Sequence, residues 1–142
     1  MARDHFIERK IEKLRFYYED LEEILAISPQ AMKKDRVRLY ACERVFQLII
    51  DEMIDINTYV IKTHNFRTPD DFQSSFITLS ENKVIPAAFA ARVAPCVGLR
   101  NLLVHRYEDI DYSLFLKLLY NNRVDFKDYI SHIVRYIDKK KK

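Results

Sequence analysis

The sequence has very little glycine and no disulfide framework. Only one of its 142 residues is glycine, Gly98, whereas tight β-hairpin turns draw on glycine for positive φ angles. The two cysteines, Cys42 and Cys96, lie far apart and form no CxxC pair. We therefore expect a helical protein with two reduced core thiols, as in an intracellular protein.

A membrane segment and a metal centre are also not expected. No apolar run approaches the roughly 20 residues of a membrane span, and the N-terminus is charged from its third residue. Three of the four histidines, His5, His64 and His132, lack metal-ligand spacing with one another or with the cysteines. These absences predict a cytoplasmic protein that contacts no membrane and uses no metal or cofactor.

Charge is nearly balanced overall but unevenly distributed. The chain has 24 basic and 21 acidic residues, for a net charge of +3. Between Asn82 and Tyr107 there is no acidic residue, although the segment holds four basic ones, so it should attract phosphate groups. The basic tail, residues 139–142, is either a frayed, solvated helix end or a source of further phosphate contacts.

Apolar residues recur at helical spacing along most of the chain. The first segment has this pattern from Ile7 to Leu25 and ends at Ser28-Pro29, and a second long helix is predicted from about Asp35 to His64. Thr68 should cap a short third helix that ends near Glu81. A fourth begins at Pro86, and a fifth, capped by Asp111 and interrupted at Asn121-Asn122, runs toward Lys139. We predict one all-α domain over residues 1–142, a four- or five-helix up-and-down bundle.

One side of the fourth helix consists largely of small residues. The stripe is formed by Ala87, Ala91, Ala94, Gly98, Asn101 and His105. Glycine costs about 1 kcal/mol relative to alanine inside a helix. Its presence therefore suggests that another helix packs closely here, or that the helix is locally broken.

The end of this helix contains residues able to cleave RNA. Arg100 can hold a phosphate, His105 can transfer a proton near neutral pH, and Tyr107 carries a modifiable hydroxyl. On an ideal helix Arg100 and His105 point about 140° apart. A kink at Pro95, a loosened helix end, or a second chain in a two-fold dimer could bring the groups of a site together.

A neighbouring stretch of the second helix could form an ion pair with Arg100. Glu43, Arg44 and Asp51 lie along one side of that helix. We expect a structural salt bridge there rather than a catalytic role.

The pattern of Arg100, Asn101, His105 and Tyr107 resembles the signature of HEPN-domain proteins, and specifically of HepT-type toxins. Segments flanking the motif agree with this resemblance: Glu43-Arg44 with Gln47, Thr68-Pro69 with Phe72 and Phe76, Ile85-Pro86, and Asp109-Ile110-Asp111.

The resemblance implies an all-helical homodimer that acts as the toxin of a type VII-like toxin–antitoxin module. It would be a metal-independent endoribonuclease acting on tRNA or mRNA, with a minimal nucleotidyltransferase as antitoxin. Arg100 and His105 become the catalytic pair, Asn101 and Arg106 support the site, and Tyr107 is where the antitoxin transfers AMP.

Two other functions are compatible with the same residues. A non-catalytic helical partner could use Arg100 and His105 to grip a nucleotide phosphate and regulate a nucleotidyltransferase. A purely structural helical module would have no site at all.

Overall fold

The protein is a bundle of α-helices. The computed structural model describes residues 5–105 and 107–140, and within these ranges it contains eight α-helices, one 3-10 helix and no strand. The helices are α1 (His5–Ile24), α2 (Pro29–Lys34), α3 (Arg36–Thr63), α4 (Phe72–Glu81), α5 (Ala87–Val93), α6 (Pro95–His105), α7 (Tyr112–Asn122) and α8 (Val124–Lys140). The 3-10 helix, Tyr107–Asp109, lies between α6 and α7. The predicted all-α fold is confirmed.

The longest helix, α3, forms the centre of the bundle. It packs against α1, α2, α4 and α6, while α8 packs against α1. Phe46 of α3 is fully buried, and its ring contacts those of Phe115 in α7 and Phe126 in α8. Burying a side chain of this size contributes roughly 1.5–3 kcal/mol. The central helix therefore holds the chain's last two helices in place.

Aspartate side chains determine where three helices begin. Asp35 Oδ1 accepts a hydrogen bond from the backbone N–H of Arg38 at 3.0 Å, and Asp111 Oδ1 accepts one from Leu114 at 3.1 Å. Both starts agree with the sequence prediction. The predicted cap at Thr68 is wrong, because α4 begins only after Asp71, whose Oδ1 accepts from the N–H of Ser74 at 2.7 Å. Such a cap typically contributes about 1 kcal/mol.

One short helix was not predicted. Ser28-Pro29 was interpreted as the end of the first helix, but α1 ends at Ile24 and Ser28 instead caps α2. The Ser28 hydroxyl accepts from the N–H of Ala31 at 3.1 Å, and Pro29 occupies the first helical position, where its missing N–H has no cost. The interruption predicted near Asn121-Asn122 is confirmed at Arg123, between α7 and α8.

Two further expectations concern the cysteines and the length of the apolar segments. Cys42 and Cys96 are free and buried as predicted, and burial raises the pKa of each thiol to about 12. By contrast, the segment Ala87–His105 is long and apolar enough to pass a membrane-span test based on length and composition. A third of it is buried inside the bundle, and it is divided into α5 and α6. Core helices of soluble proteins pass the same test, so this segment carries no membrane assignment.

Candidate functional site

Three residues of the motif, Arg100, Asn101 and His105, lie on one uninterrupted helix, α6. Pro95 has no N–H to donate to Ala91, so α5 ends at Val93 and α6 starts at Pro95, with Val97 N–H bonding only three residues back to Ala94 at 3.2 Å. This break comes before both Arg100 and His105. The helix is therefore interrupted at Pro95, where the missing N–H was expected to act, but the interruption leaves the relative direction of the two residues unchanged.

Arg100 is anchored by two hydrogen bonds. Its Nε donates to Asp51 Oδ1 on α3 at 2.7 Å, and its Nη1 donates to Asn101 Oδ1 at 3.1 Å. The side chains of the ion pair remain 24% and 34% exposed, so the guanidinium lies at the surface rather than in the core. Within the described residues, two of its roughly five N–H groups are used, which leaves others to contact a phosphate.

The hydrogen bond from Arg100 to Asn101 shows where the end of the Arg100 side chain lies, which the direction of its Cβ alone does not. Asn101 and His105 are four residues apart and point within about 40° of each other, and both are exposed. Because the Arg100 side chain is long, its guanidinium ends beside the Asn101 amide although its Cβ starts on another face. One chain thus places the Arg100 guanidinium between Asp51 of α3 and Asn101, and Asn101 lies one turn before His105 on the exposed side of α6.

Glu43 does not pair with Arg100. It is buried on α3, and both of its carboxylate oxygens accept a hydrogen bond from the Tyr112 hydroxyl of α7 at 3.5 Å. Burial raises the pKa of Glu43, and the bond from Tyr112 opposes that rise. Arg44 is exposed. The structural salt bridge expected on this side of α3 is therefore made by Asp51 alone among the three candidates.

Tyr107, the fourth residue of the motif, comes after the end of α6. Tyr107 begins the 3-10 helix, and its side chain is outside the described part of the structure, as is all of Arg106. The residues that follow, Glu108 and Asp109, are acidic and end the acid-free segment. Tyr107 is thus only two residues from His105 along the chain.

The small-residue stripe is partly covered by α4 of the same chain. Ala94 is buried, whereas Ala87 and Ala91 are exposed like Asn101 and His105. A methyl group added at Gly98 would meet only the Gln73 side-chain oxygen, at 3.9 Å, which is ordinary contact. No packing within the described chain therefore requires glycine at this position.

No metal-binding cluster accompanies the motif in residues 5–105 and 107–140. Within those ranges no three His, Cys, Asp or Glu residues are grouped closely enough to hold an ion. The imidazole of His64 instead bonds to the backbone carbonyl of Val60 at 3.0 Å, and His132 packs against the ring of Phe89.

A comparison with protein families identifies the chain. The family model "Ribonuclease HepT-like" matches residues 14–133. The chain belongs to the HepT-like ribonuclease family. It is therefore a ribonuclease, and of the functions considered above the enzyme is favoured over a non-catalytic partner or a structural module.

Individual HepT-like relatives agree with this assignment. A protein of Aphanizomenon flos-aquae called tRNA nuclease HepT is 33% identical over 106 residues, covering 74% of this chain and 71% of the relative. A putative RNase of Archaeoglobus fulgidus is 32% identical over 109 residues, covering 77% and 78%. An mRNA nuclease HepT of Shewanella oneidensis is 25% identical and covers 61% of this chain and 65% of its own.

Solved structures share the HepT-like fold. A tri-AMPylated HEPN toxin of Shewanella oneidensis, in complex with an MNT antitoxin, superposes with a TM-score of 0.86 at 20% identity, covering 94% of this chain and 99% of that one. YutE, a cytosolic protein of unknown function from Bacillus subtilis, superposes with a TM-score of 0.80 at 20% identity, covering 94% and 92%. At these identities the likeness establishes the fold.

Proposed function

We propose that this HepT-like ribonuclease is the toxin of a two-protein toxin–antitoxin module. It cleaves RNA without a metal in a site shared by two chains, and AMP transfer to Tyr107 silences it. The observation that carries the proposal is the anchored Arg100 guanidinium, which Asp51 and Asn101 hold on the exposed side of α6 that also bears His105.

The reaction uses the ribose 2′-hydroxyl as the nucleophile. The 2′-oxygen forms a bond to the adjacent phosphorus, the bond from phosphorus to the 5′-oxygen breaks, and a 2′,3′-cyclic phosphate and a 5′-hydroxyl result. One proton leaves the 2′-oxygen and another must reach the 5′-oxygen. Imidazole, with an ordinary pKa of about 6.5, can perform either transfer. Arg100 stabilises the negative charge that develops on the phosphoryl oxygens.

A dimer supplies the second proton-transfer group. Each chain has one histidine in the motif, and in-line cleavage needs two transfers. We propose that two chains pair across the outward side of α6, at Gly98, Asn101 and His105, which brings a second histidine to the same cleft. Exposed apolar side chains at Val37 and Tyr40 of α3 add surface that a second chain can bury.

AMP transfer explains the position of Tyr107. Its phenolic oxygen would attack the α-phosphorus of a nucleoside triphosphate, pyrophosphate would leave, and the phenolic proton would pass to solvent. The attached phosphodiester adds bulk and a negative charge two residues from His105, where it competes with RNA for Arg100 and Arg106.

The proposed antitoxin is a minimal nucleotidyltransferase that acts in the cytoplasm. The Shewanella oneidensis toxin is described as tri-AMPylated and bound to its MNT antitoxin, and a second toxin–antitoxin structure was solved with AMP-PNP. YutE, which shares the fold, is described as cytosolic. Either tRNA or mRNA can be the target, since relatives named for each are known.

The chemistry is tested with purified protein and RNA. We expect 2′,3′-cyclic phosphate ends, cleavage that persists in EDTA, and no cleavage of an all-deoxy substrate. His105→Ala should abolish cleavage and toxicity while the helical circular dichroism signal is retained. Cleavage of DNA, or loss of cleavage in EDTA, contradicts the mechanism.

The shared site is tested by mixing two forms of the protein. When unmutated protein and His105→Ala are unfolded and refolded together in equal amounts, activity should fall to about a quarter, because only one dimer in four has two histidines. A fall to about a half would show that each chain acts alone.

The regulation is tested by co-expression with the nucleotidyltransferase. Mass spectrometry should find AMP on Tyr107, and Tyr107→Phe should remain toxic in the presence of the antitoxin. An inactive complex that carries no AMP refutes this part of the proposal.

A further inference from the structure

A second cationic surface lies at the opposite end of the bundle from the motif. Here the turn after α4, the start of α5 and the last two turns of α8 enclose an open groove of about 760 Å³. We call it the terminal groove. Its charged and aromatic side chains are Lys83, His132, Arg135, Tyr136, Lys139 and Lys140.

The positive charge of the terminal groove is not neutralised within the described residues. None of its twelve lining residues is acidic, and its cations, Lys83, Arg135, Lys139 and Lys140, make no ion pair there. Elsewhere, Arg92 and Arg123 are matched by carboxylates at 3.1 Å and 2.7 Å. Cations of one sign in a concave surface focus the field and attract phosphate.

Lys83 occupies a backbone position that favours glycine. Its φ of 61° is in the left-handed region, directly after the end of α4. The N–H of Lys83 bonds to the Ser80 carbonyl at 3.1 Å and that of Val84 to the Leu79 carbonyl at 2.9 Å, as at many helix ends where glycine is preferred. A lysine here strains the backbone, which suggests that its side chain is used for binding.

The groove also offers flat rings among its cations. Tyr136 is half-buried, with the Lys140 ammonium 5.4 Å from the centre of its ring. Burial lowers the pKa of His132, the nearby Arg135 adds to this effect, and Asp128 opposes it. Alternating cations and rings are the usual components of surfaces that bind single-stranded nucleic acid.

We propose that the terminal groove binds the phosphate backbone of the same RNA molecule that is cut at Arg100 and His105. This inference rests on the proposed cleavage of RNA. Ala87 lines the groove at the start of α5 and His105 ends α6, so about 27 Å of helix separates the two surfaces. A long RNA can occupy both surfaces at once, whereas a short RNA occupies one of them at a time.

Binding of RNAs of two lengths tests the proposal. Affinity is measured by fluorescence anisotropy with single-stranded RNAs of about 30 and about six nucleotides, the shorter being the size of one single-strand site. His105→Ala is the background in every case, so that the RNA stays intact. Adding Arg135→Gln, Lys139→Gln and Lys140→Gln should weaken binding of the long RNA about tenfold and that of the short RNA far less, because the cleavage site still binds the short RNA.

The salt dependence of RNA affinity and a matched control variant show whether lost phosphate contacts cause the weaker binding. Loss of three phosphate contacts should reduce the slope of log affinity against log salt by about 2, since each contributes about 0.7 on single strands. Lys13→Gln, Lys117→Gln and Lys127→Gln remove the same charge from exposed positions outside the groove and should change neither length dependence nor slope. Equal loss in both triple variants would overturn the proposal, because net charge alone would explain it.

Lys83→Gly separates binding from folding. Relief of the left-handed strain should raise the Tm by about 2–6 °C, while affinity for the long RNA falls. If Lys83→Gly is more stable yet binds the long RNA as tightly as before, Lys83 does not contribute to binding. That result counts against the proposal.

Two results would refute the groove's role while leaving the proposed function intact. One is unchanged binding of long RNA by the groove variant. The other is unchanged RNA binding with weakened binding of the nucleotidyltransferase, which would assign the groove to that protein. Failure of the unmutated chain to cut either RNA would instead refute the proposed chemistry.

Discussion

Replacing Asp51 by asparagine tests whether this carboxylate positions Arg100 for catalysis. The ion pair joins Arg100 Nε to Asp51 Oδ1 at 2.7 Å, with side chains 24% and 34% exposed. Exposed and partly exposed pairs contribute about 0.2–1 kcal/mol. Asp51→Asn should therefore lower the free energy of unfolding by no more than about 1 kcal/mol and the Tm by roughly 2–6 °C.

The effect of Asp51→Asn on catalysis should be larger than its effect on stability. Asparagine keeps one oxygen that can accept from Arg100 Nε but carries no charge, so the guanidinium is held more weakly, and a misplacement of about 1 Å can reduce a rate about 100-fold. We expect kcat to fall about 10- to 100-fold, which is about 1.4–2.7 kcal/mol of transition-state stabilisation. KM should stay level or fall, because removing Asp51 also removes a negative charge that competes with RNA for Arg100.

A second ion pair of the same length provides the control. Arg123 Nε lies 2.7 Å from Glu22 Oε1, with side chains 35% and 43% exposed, on α1 and the α7–α8 junction. Glu22→Gln should cost a similar amount of stability and leave kcat unchanged. Steady-state kinetics on one RNA, with thermal unfolding of both variants, makes the comparison. An Asp51→Asn enzyme whose kcat stays within about twofold of the unmutated value refutes the positioning role.

Two further substitutions test the interface and the buried acid. Gly98→Ala should stabilise the single chain by about 1 kcal/mol, since the added methyl has room, but should weaken the dimer; unchanged dimer affinity in analytical ultracentrifugation would exclude Gly98 from the interface. Burial raises the folded-state pKa of Glu43 above its ordinary value of 4.5, so the protonated form favours folding and stability is lost as pH rises from about 4.5 through the raised value. Glu43→Gln avoids that loss, and urea unfolding should find the variant's stability relative to the unmutated protein greater at pH 7 than at pH 4. A stability difference between Glu43→Gln and the unmutated protein that is no larger at pH 7 than at pH 4 would contradict this account.

The helical segments were predictable because their signals are local. The periodic apolar positions from Asp35 to His64 and the cap at Asp111 each depend on neighbouring residues alone, and both are confirmed. Ser28-Pro29 shows the limit of such signals, since the pair was interpreted as the end of the first helix but instead begins α2, whereas α1 already ends at Ile24. Thr68 was predicted as the cap of the next helix, but the residue whose side chain reaches the N–H of Ser74 is Asp71, so that helix begins three residues later.

The candidate site was only partly predictable because side-chain length is not part of a helical projection. The 140° between Arg100 and His105 describes where their Cβ atoms point. The guanidinium lies several bonds beyond its Cβ, and Asn101 and Asp51 determine where it ends. Asp51 was one of three candidates on α3, and the sequence alone could not choose among them because Glu43 is buried against Tyr112 instead.

The reason to propose a site shared by two chains is therefore proton transfer, and not the angle between Arg100 and His105 on one helix. If Arg100 and His105 could not meet within one chain, a dimer would be needed merely to assemble them. The Arg100 guanidinium ends beside Asn101, which lies one turn before His105. We therefore propose that one chain can hold a phosphate within reach of its own imidazole. What one motif lacks is a second group for the second proton, and a partner's histidine would provide it. The refolded mixture of unmutated and His105→Ala protein addresses this requirement directly, since it counts the histidines needed in each site whatever the direction of Arg100.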